Sequence, residues 1–339
     1  MTSSVAVHID EPGRLRVVAT EPAGPGAGEA LVRVAWTGIC GSDREVFAGT
    51  RPAPFVRYPV TPGHEWSGTV VSVGDGAPTE LVGRPVVGEG FRACGRCTAC
   101  RRGDTNLCEA DYDETGFTRP GAWADYLTLP ARLLHVLPDG ADLRAAAALE
   151  PSACVAAATL KAAPVPGEWV AVVGAGTLGL LATQLLRAAG PGELTVVDPK
   201  PSRGELAHRC GATALLSPAD AARGAAGRFD VVVEAAGVAG AARLAVRLAR
   251  RGGRVVLLGI PGTDEDPPSP TDLVLNQVTV LPVFGAPSRA WSHAVRAFAS
   301  GVLDPAAVIT HELPLAEARE AFDLLADPRA GAVKVLLRP

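Results

Sequence analysis

Cys94, Cys97, Cys100 and Cys108 form a C-x2-C-x2-C-x7-C run. Two-residue gaps let successive thiolates converge on one ion at about 2.3 Å, and four of them close a tetrahedral shell with no position left for a substrate. The cluster therefore reads as a structural zinc site. Nearby Arg92, Arg96, Arg101 and Arg102 are offset by Asp104, Glu109 and Asp111, which favours a loop-stabilising lobe over about residues 92–110 rather than a nucleic-acid-binding ribbon. A second set lies apart from it: Gly38-Ile39-Cys40-Gly41-Ser42-Asp43, then Pro62-Gly63-His64-Glu65, with Glu150 in Leu149-Glu150-Pro151. One Cys, one His and a carboxylate leave a coordination position open for chemistry. Taken singly, His64 fits a hydrogen-bonded structural imidazole and Glu150 a helix N-terminal charge.

A third set suits a dinucleotide. Val170 to Val173 enters Gly174-Ala175-Gly176-Thr177-Leu178-Gly179 and then a helical stretch, and Asp198 follows 19 residues after Gly179 at the end of the next apolar run. This is a Rossmann fingerprint: Gly174 for the tight turn, Gly176 for approach of the pyrophosphate, Gly179 for close helix–strand packing. The helix start at Thr177 and Leu178 offers N–H donors and positive dipole to the phosphates. Asp198 is placed to accept from the adenosine ribose hydroxyls and to repel a 2′-phosphate, favouring NAD, while Lys200 and Arg203 lie near enough to leave NADP possible. Gly259 and Phe284, near the ends of later apolar runs, are further candidates for cofactor contact.

These residues need two scaffolds. A chain of 339 residues exceeds what one core serves, so two domains are expected. From Ala30 to about Leu149, short strands alternate with Gly/Pro turns, at Leu31–Trp36, Trp66–Val73, Arg84–Gly88 and Ala124–Leu129. From Glu168 the pattern becomes apolar strands separated by Ala/Leu/Arg-rich helices, with strands at Trp169–Val173, Leu194–Asp198, Phe229–Glu234, Arg254–Gly259 and Val278–Phe284. The fold class is α/β plus β, a doubly wound parallel sheet with a separate all-β domain. The expected divisions are 1–152, 153–286, and 287–339 returning to the first domain through the strand-like Ala332–Leu337. Pro261 to Pro270, with four prolines and three acidic residues, reads as a solvated loop.

Composition narrows the partners. A net charge of -4 argues against a nucleic-acid surface and for small molecules. Val170 to Leu186 is short for a membrane span and broken by glycines. The opening Met1-Thr2-Ser3-Ser4 lacks a basic start and apolar stretch, so a cytoplasmic protein is expected, in which cysteine clusters hold metal rather than disulfides. Cys154 and Cys210 fall outside both sets and read as small buried hydrophobes.

On the Gly38–Asp43 segment, Gly63-His64-Glu65, the four-Cys run, Gly116-Phe117 through Gly121-Ala-Trp-Ala-Asp-Tyr126, Leu149-Glu150-Pro151 and the glycine fingerprint, the chain resembles the zinc-dependent medium-chain dehydrogenases over nearly its whole length. The resemblance implies a GroES-like β-barrel catalytic domain beside a Rossmann domain, and two zinc ions per chain. It implies that Cys40 and His64 bind catalytic zinc, that Glu65 is the third ligand of the polyol branch, and that Glu150 ligates zinc or holds its water. Asp43 would orient the ligand His. Ser42 would take the substrate proton, and Glu45 stands where many relatives carry a His that passes it on, so either Glu45 or solvent receives it. A homodimer or homotetramer joined near Val278–Phe284 is also implied.

The resemblance extends, through Gly63-His-Glu-Trp66-Ser-Gly68 and Gly116-Phe-Thr-Arg-Pro-Gly121, to aminocyclitol dehydrogenases of aminoglycoside pathways. A hydroxylated substrate follows: a polyol, sugar or aminocyclitol secondary alcohol, with a sorbitol- or threonine-type enzyme as the alternative. The substrate Arg of sorbitol-type enzymes falls at Ala286, with Arg289 close by, and Phe47, Glu114, Phe117, Phe284 and Arg289 are candidates for the substrate wall. A non-catalytic dinucleotide-binding relative has no use for an open metal site, and a zinc-free reductase would lack both cysteine sets.

Overall fold

The computed structural model describes residues 4–262 and 266–339. Of the stretch read as a solvated loop, 263–265 lie outside the described residues, as do Met1 to Ser3 of the opening segment, and the loop closes into a helix at Pro270–Asn276. Among the described residues fifteen strands occur in order: β1 Ser4–Glu11, β2 Arg14–Thr20, β3 Glu29–Gly38, β4 Trp66–Val73, β5 Pro85–Gly88, β6 Tyr126–Pro130, β7 Leu134–Val136, β8 Trp169–Val173, β9 Glu193–Val197, β10 Ala214–Leu216, β11 Phe229–Glu234, β12 Ala249–Leu257, β13 Thr279–Pro282, β14 Ile309–Pro314 and β15 Lys334–Arg338. They fall into two compact units, one of residues 1–150, 287–295 and 309–339, the other of 151–286 and 296–308.

In the first unit β14-β15-β3-β4-β5-β7 form one sheet, with β6 on β3. Val32, Trp66, Val70, Leu127 and Leu129 of β3, β4 and β6 pack into a common core. The hairpin β1–β2, turning at Gly13 with φ +79, escapes a sequence reading because His8, Asp10, Arg14 and Arg16 interrupt its apolar pattern. Its inner residues Val7 and Ile9 are nonetheless fully buried.

The second unit is a six-stranded, all-parallel sheet in the order β10-β9-β8-β11-β12-β13. Val170 to Val173 are all buried, as expected of a central parallel strand covered on both faces. The order reverses between β8 and β11, and ligands of such sheets bind outside the carboxyl ends at that switch. Residues 296–308 belong here rather than with the first domain. The Gln184 side chain donates to the Asp304 carbonyl and accepts from the Asp304 N–H, a pairing that sequence periodicity does not register. Strand β13 is the sheet edge. No helix among the described residues is long and apolar enough to cross a membrane.

Candidate active site

The sulfurs of Cys94, Cys97, Cys100 and Cys108 lie within 4.8 Å of one another. Backbone N–H groups point at them: Cys94 N donates to Cys108 Sγ at 3.3 Å, Cys97 N to Cys94 Sγ at 3.4 Å, and Cys100 N to Cys97 Sγ at 3.4 Å. Such donors favour thiolate. Those from Arg96 and Cys97 bring Cys94 down to about 6, while burial pushes Cys100 up to about 12. Four thiols converging in this way suit a divalent cation, which deprotonates its thiol ligands outright.

The second group assembles through strand register. Thr37 of β3 pairs with Trp66 of β4 in antiparallel register, so the residues just after β3 and just before β4 emerge together. Cys40 Sγ, an imidazole nitrogen of His64 and a carboxylate oxygen of Glu65 consequently lie within 4.8 Å of one another. Gly38 is required there, because a Cβ on it would stand 2.2 Å from Glu65 Oε2. Gly63, at φ +99, likewise leaves room for the Trp123 ring.

Asp43, buried in the helix Gly41–Ala48, accepts from Cys40 N at 2.8 Å through Oδ2. Its Oδ1 is 3.5 Å from His64 Nδ1, and both atoms are buried without a hydrogen-bond partner. Burial lowers the His64 pKa, but Asp43 and Cys40 outweigh it and the net shift is well upward. A cation held through the other ring nitrogen fixes the proton on Nδ1, facing Asp43, and so satisfies both orphaned atoms. Zinc fits this donor set. Asp43→Asn should therefore weaken zinc at this site by about ten- to a hundredfold while the four-Cys site keeps its ion, measured by chelator competition. Equal affinity in both proteins would remove Asp43 from the role.

Glu65 has a partner the sequence reading missed. Lys334 Nζ donates to Oε1 at 2.8 Å, to Oε2 at 2.6 Å and to the Ile39 carbonyl at 3.0 Å, with all groups buried. Burial lowers the Lys334 pKa, but Glu65 and Cys40 outweigh it and hold the ammonium charged. A carboxylate has lone pairs enough to accept from Lys334 and still face a cation. One signal was available: Lys334 is one of three lysines in the chain, set inside an apolar run.

Glu150, expected as a zinc ligand or as the holder of zinc's water, occupies the first turn of the helix Leu149–Ala162, and its charge acts on Lys334 and Glu114. Ser42 is half-buried beside Asp43, whereas Glu45 is exposed and pairs with Arg51 at 3.7 Å. Among the wall candidates, Phe117 packs its ring on His64 at 4.8 Å, and Glu114 is buried three residues before it. Phe47 instead stacks on Phe322 in the core, and Arg289 pairs with Asp104 on the cysteine lobe.

In the second unit Gly174, at φ +102, lies against Ala236, and a Cβ on Gly179 would strike the Gly174 carbonyl at 1.8 Å. Gly176 faces open space. Thr177 and Leu178 begin the helix Thr177–Ala188. Asp198 accepts from Ala175 N at 2.7 Å and Lys200 N at 2.9 Å, which fixes its carboxylate at the glycine loop. Arg203 ends a short 3-10 turn beyond it. Gly259 abuts Gly237 and the Glu234 carboxylate, and Phe284 is exposed just past β13.

Residues 26–139 match the alcohol dehydrogenase GroES-like domain, and 177–300 the zinc-binding dehydrogenase family. An L-threonine 3-dehydrogenase of Streptomyces coelicolor is 34% identical over 331 residues, 95% of this chain and 96% of that one. The chain belongs to the zinc-dependent medium-chain dehydrogenases. Among solved structures, a zinc-binding dehydrogenase of Sinorhizobium meliloti bound to NADP superposes with a TM-score of 0.92 at 32% identity, covering all of both chains. The 2R,3R-butanediol dehydrogenase of Bacillus subtilis superposes with a TM-score of 0.88 at 28% identity, covering 99% of this chain and 100% of that one. The dehydrogenase is thus an oxidoreductase acting on alcohols, with a GroES-like unit and a Rossmann unit. Both cysteine-containing clusters have donor chemistry that suits zinc.

Proposed function

We propose that this dehydrogenase converts a secondary alcohol of a small hydroxylated substrate to a ketone, with NAD as acceptor and NADP as a possible substitute. The observation that carries the reading is the open three-donor group of Cys40, His64 and Glu65 in a chain with a dinucleotide glycine loop. When bound, zinc supplies a Lewis acid for the alcohol oxygen and nicotinamide a two-electron acceptor. Asp43 holds the His64 tautomer, Lys334 balances the charge of Glu65, and Ser42 takes the substrate proton. Because Glu45 is exposed and engaged by Arg51, solvent rather than Glu45 receives that proton next. The Asp198 charge at the glycine loop supports NAD over a 2′-phosphorylated cofactor. An aminocyclitol is the favoured substrate on the motif resemblance, and threonine the rival on the names of its relatives. The edge strand β13, with Val274, Leu275 and Phe284 exposed, supports a homodimer or homotetramer.

The test is metal content by atomic absorption together with reduced-nicotinamide absorbance on a panel of cyclitols, aminocyclitols, hexitols, butanediol and L-threonine, with each cofactor. The expected result is two zinc ions per chain and NAD-dependent turnover of at least one secondary alcohol. Two zinc ions without turnover on any alcohol would overturn the reading. Light scattering on the same preparation gives the subunit number, and a monomer would overturn the proposed assembly.

A further inference from the structure

We propose that Glu234 is a positioning residue of the cofactor site. Granted the reading above that this chain takes a nicotinamide dinucleotide, its buried carboxylate braces the ends of β8, β11 and β12 into the floor that receives the nicotinamide half.

The sheet order decides which half of the dinucleotide goes where. The ligand lies across the crevice at the switch between β8 and β11, outside the carboxyl ends of the strands. Asp198, just past β9, stands on the side that takes the adenosine ribose, so the other half extends over β11 and β12. Glu234 is the last residue of β11 and is 2% exposed. All of these strands lie within the second unit.

Three connections meet at Glu234. Its carbonyl accepts from Leu258 N at 2.9 Å and from Gly259 N at 3.1 Å, which ties it to the chain leaving β12. The next residue, Ala235, donates to the carbonyl of Val173 at 2.8 Å, the last residue of β8 before the glycine loop. The side chain then secures the turn that follows, Oε1 accepting from Ala236 N at 2.7 Å and from Gly237 N at 2.8 Å. Both neighbouring loops rest on that turn. A Cβ on Gly174 would stand 2.9 Å from Ala236 Cα, and one on Gly259 would stand 2.3 Å from Gly237 N and 2.7 Å from Glu234 Oε2. Removing the carboxylate strands two N–H groups, and the turn must shift to find other acceptors, taking the surfaces packed on it along. Val238 and Ile260, just beyond the two glycines, are exposed, so the outer side of this junction is open where a ligand of the sheet binds. The adenosine side is anchored separately: Asp198 takes Ala175 N and Lys200 N, and Gly174 N donates to the Val197 carbonyl at 2.8 Å.

The experiment measures calorimetric Kd for NADH and for AMP, which carries the adenosine half alone, on the zinc-loaded enzyme, with thermal melts of each protein free of ligand. Glu234→Met, which fills the same space without an acceptor, should weaken NADH about tenfold, the scale of a buried hydrogen bond left unmade, and leave AMP within about twofold. Glu234→Gln keeps an oxygen that can accept both N–H groups, so it should stay within about twofold of wild type for both ligands. An unchanged NADH Kd in Glu234→Met overturns the assignment. So does AMP weakened as much as NADH, or a Glu234→Met protein that does not fold, since either makes the residue merely structural. Glu234→Gln as weak as Glu234→Met would put the effect on charge rather than on the accepted N–H groups and overturns it as well. Wild type that binds neither NADH nor AMP removes the cofactor reading itself, and the assignment with it.

Discussion

Lys334→Met should destabilise the metal-free first unit by about 3–5 kcal/mol, the cost of leaving one member of a buried ion pair unpaired. Glu65 and Lys334 are 0% and 3% exposed, so no water reaches in to replace the lost partner. Glu65→Gln alone should also destabilise, because the buried Lys334 ammonium would be left with neutral acceptors only, the Ile39 carbonyl among them. The double variant Glu65→Gln/Lys334→Met should recover much of the loss, since it buries neither charge. Zinc sharpens the test: a cation at Cys40, His64 and Glu65 restores positive charge beside Glu65, so the Lys334→Met deficit should shrink when zinc is added. Denaturant melts of the four proteins, with chelator and with zinc, measure both effects. A Lys334→Met melt superimposed on wild type in chelator would show that the pair is not coupled to the fold.

The same pair marks where sequence reading stopped. Patterns local in sequence were legible: the four-Cys run, the strand and glycine loop of 170–179, and the strands Trp66–Val73 and Phe229–Glu234, whose observed bounds equal the expected ones. Lys334 and Glu65 are 269 residues apart, and only the pairing of β15 with β3 brings them together. Glu150 illustrates the converse. Its motif is local and plain, yet whether it meets Cys40, His64 and Glu65 depends on where the helix Leu149–Ala162 starts, which no local pattern fixes. Phe47 and Phe117 looked alike as wall candidates. Burial direction separates them, since one faces Phe322 and the other His64.

Cys100→Ser should reduce zinc from two ions per chain to one and unfold the lobe, because structural zinc supplies folding free energy on the order of 10 kcal/mol and a hydroxyl does not replace a buried thiolate. Cys210→Ser is the control: Cys210 is equally buried but takes only a side-chain contact from Gln184 at 3.6 Å, so both ions should remain. The damage should not stop at the lobe. Thr105 Oγ1 accepts from Ser288 N at 3.2 Å, and Asp104 pairs with Arg289 at 3.1 Å, so the lobe grips the first residues of the helix Ser288–Ala299. That helix begins in the first unit and ends in the second, with the division after Val295. Ser288 Oγ also donates to the buried Glu89, which His135 holds from the other side at 3.0 Å. Losing the lobe would remove two of these three ties and leave the helix start on Glu89 alone. Limited proteolysis should then cut Cys100→Ser first within about residues 92–110 and next near 287–289, while Cys210→Ser resists at both places. Cleavage confined to the lobe would mean that its zinc stabilises only its own loop, and the crossing helix would need another explanation for its position.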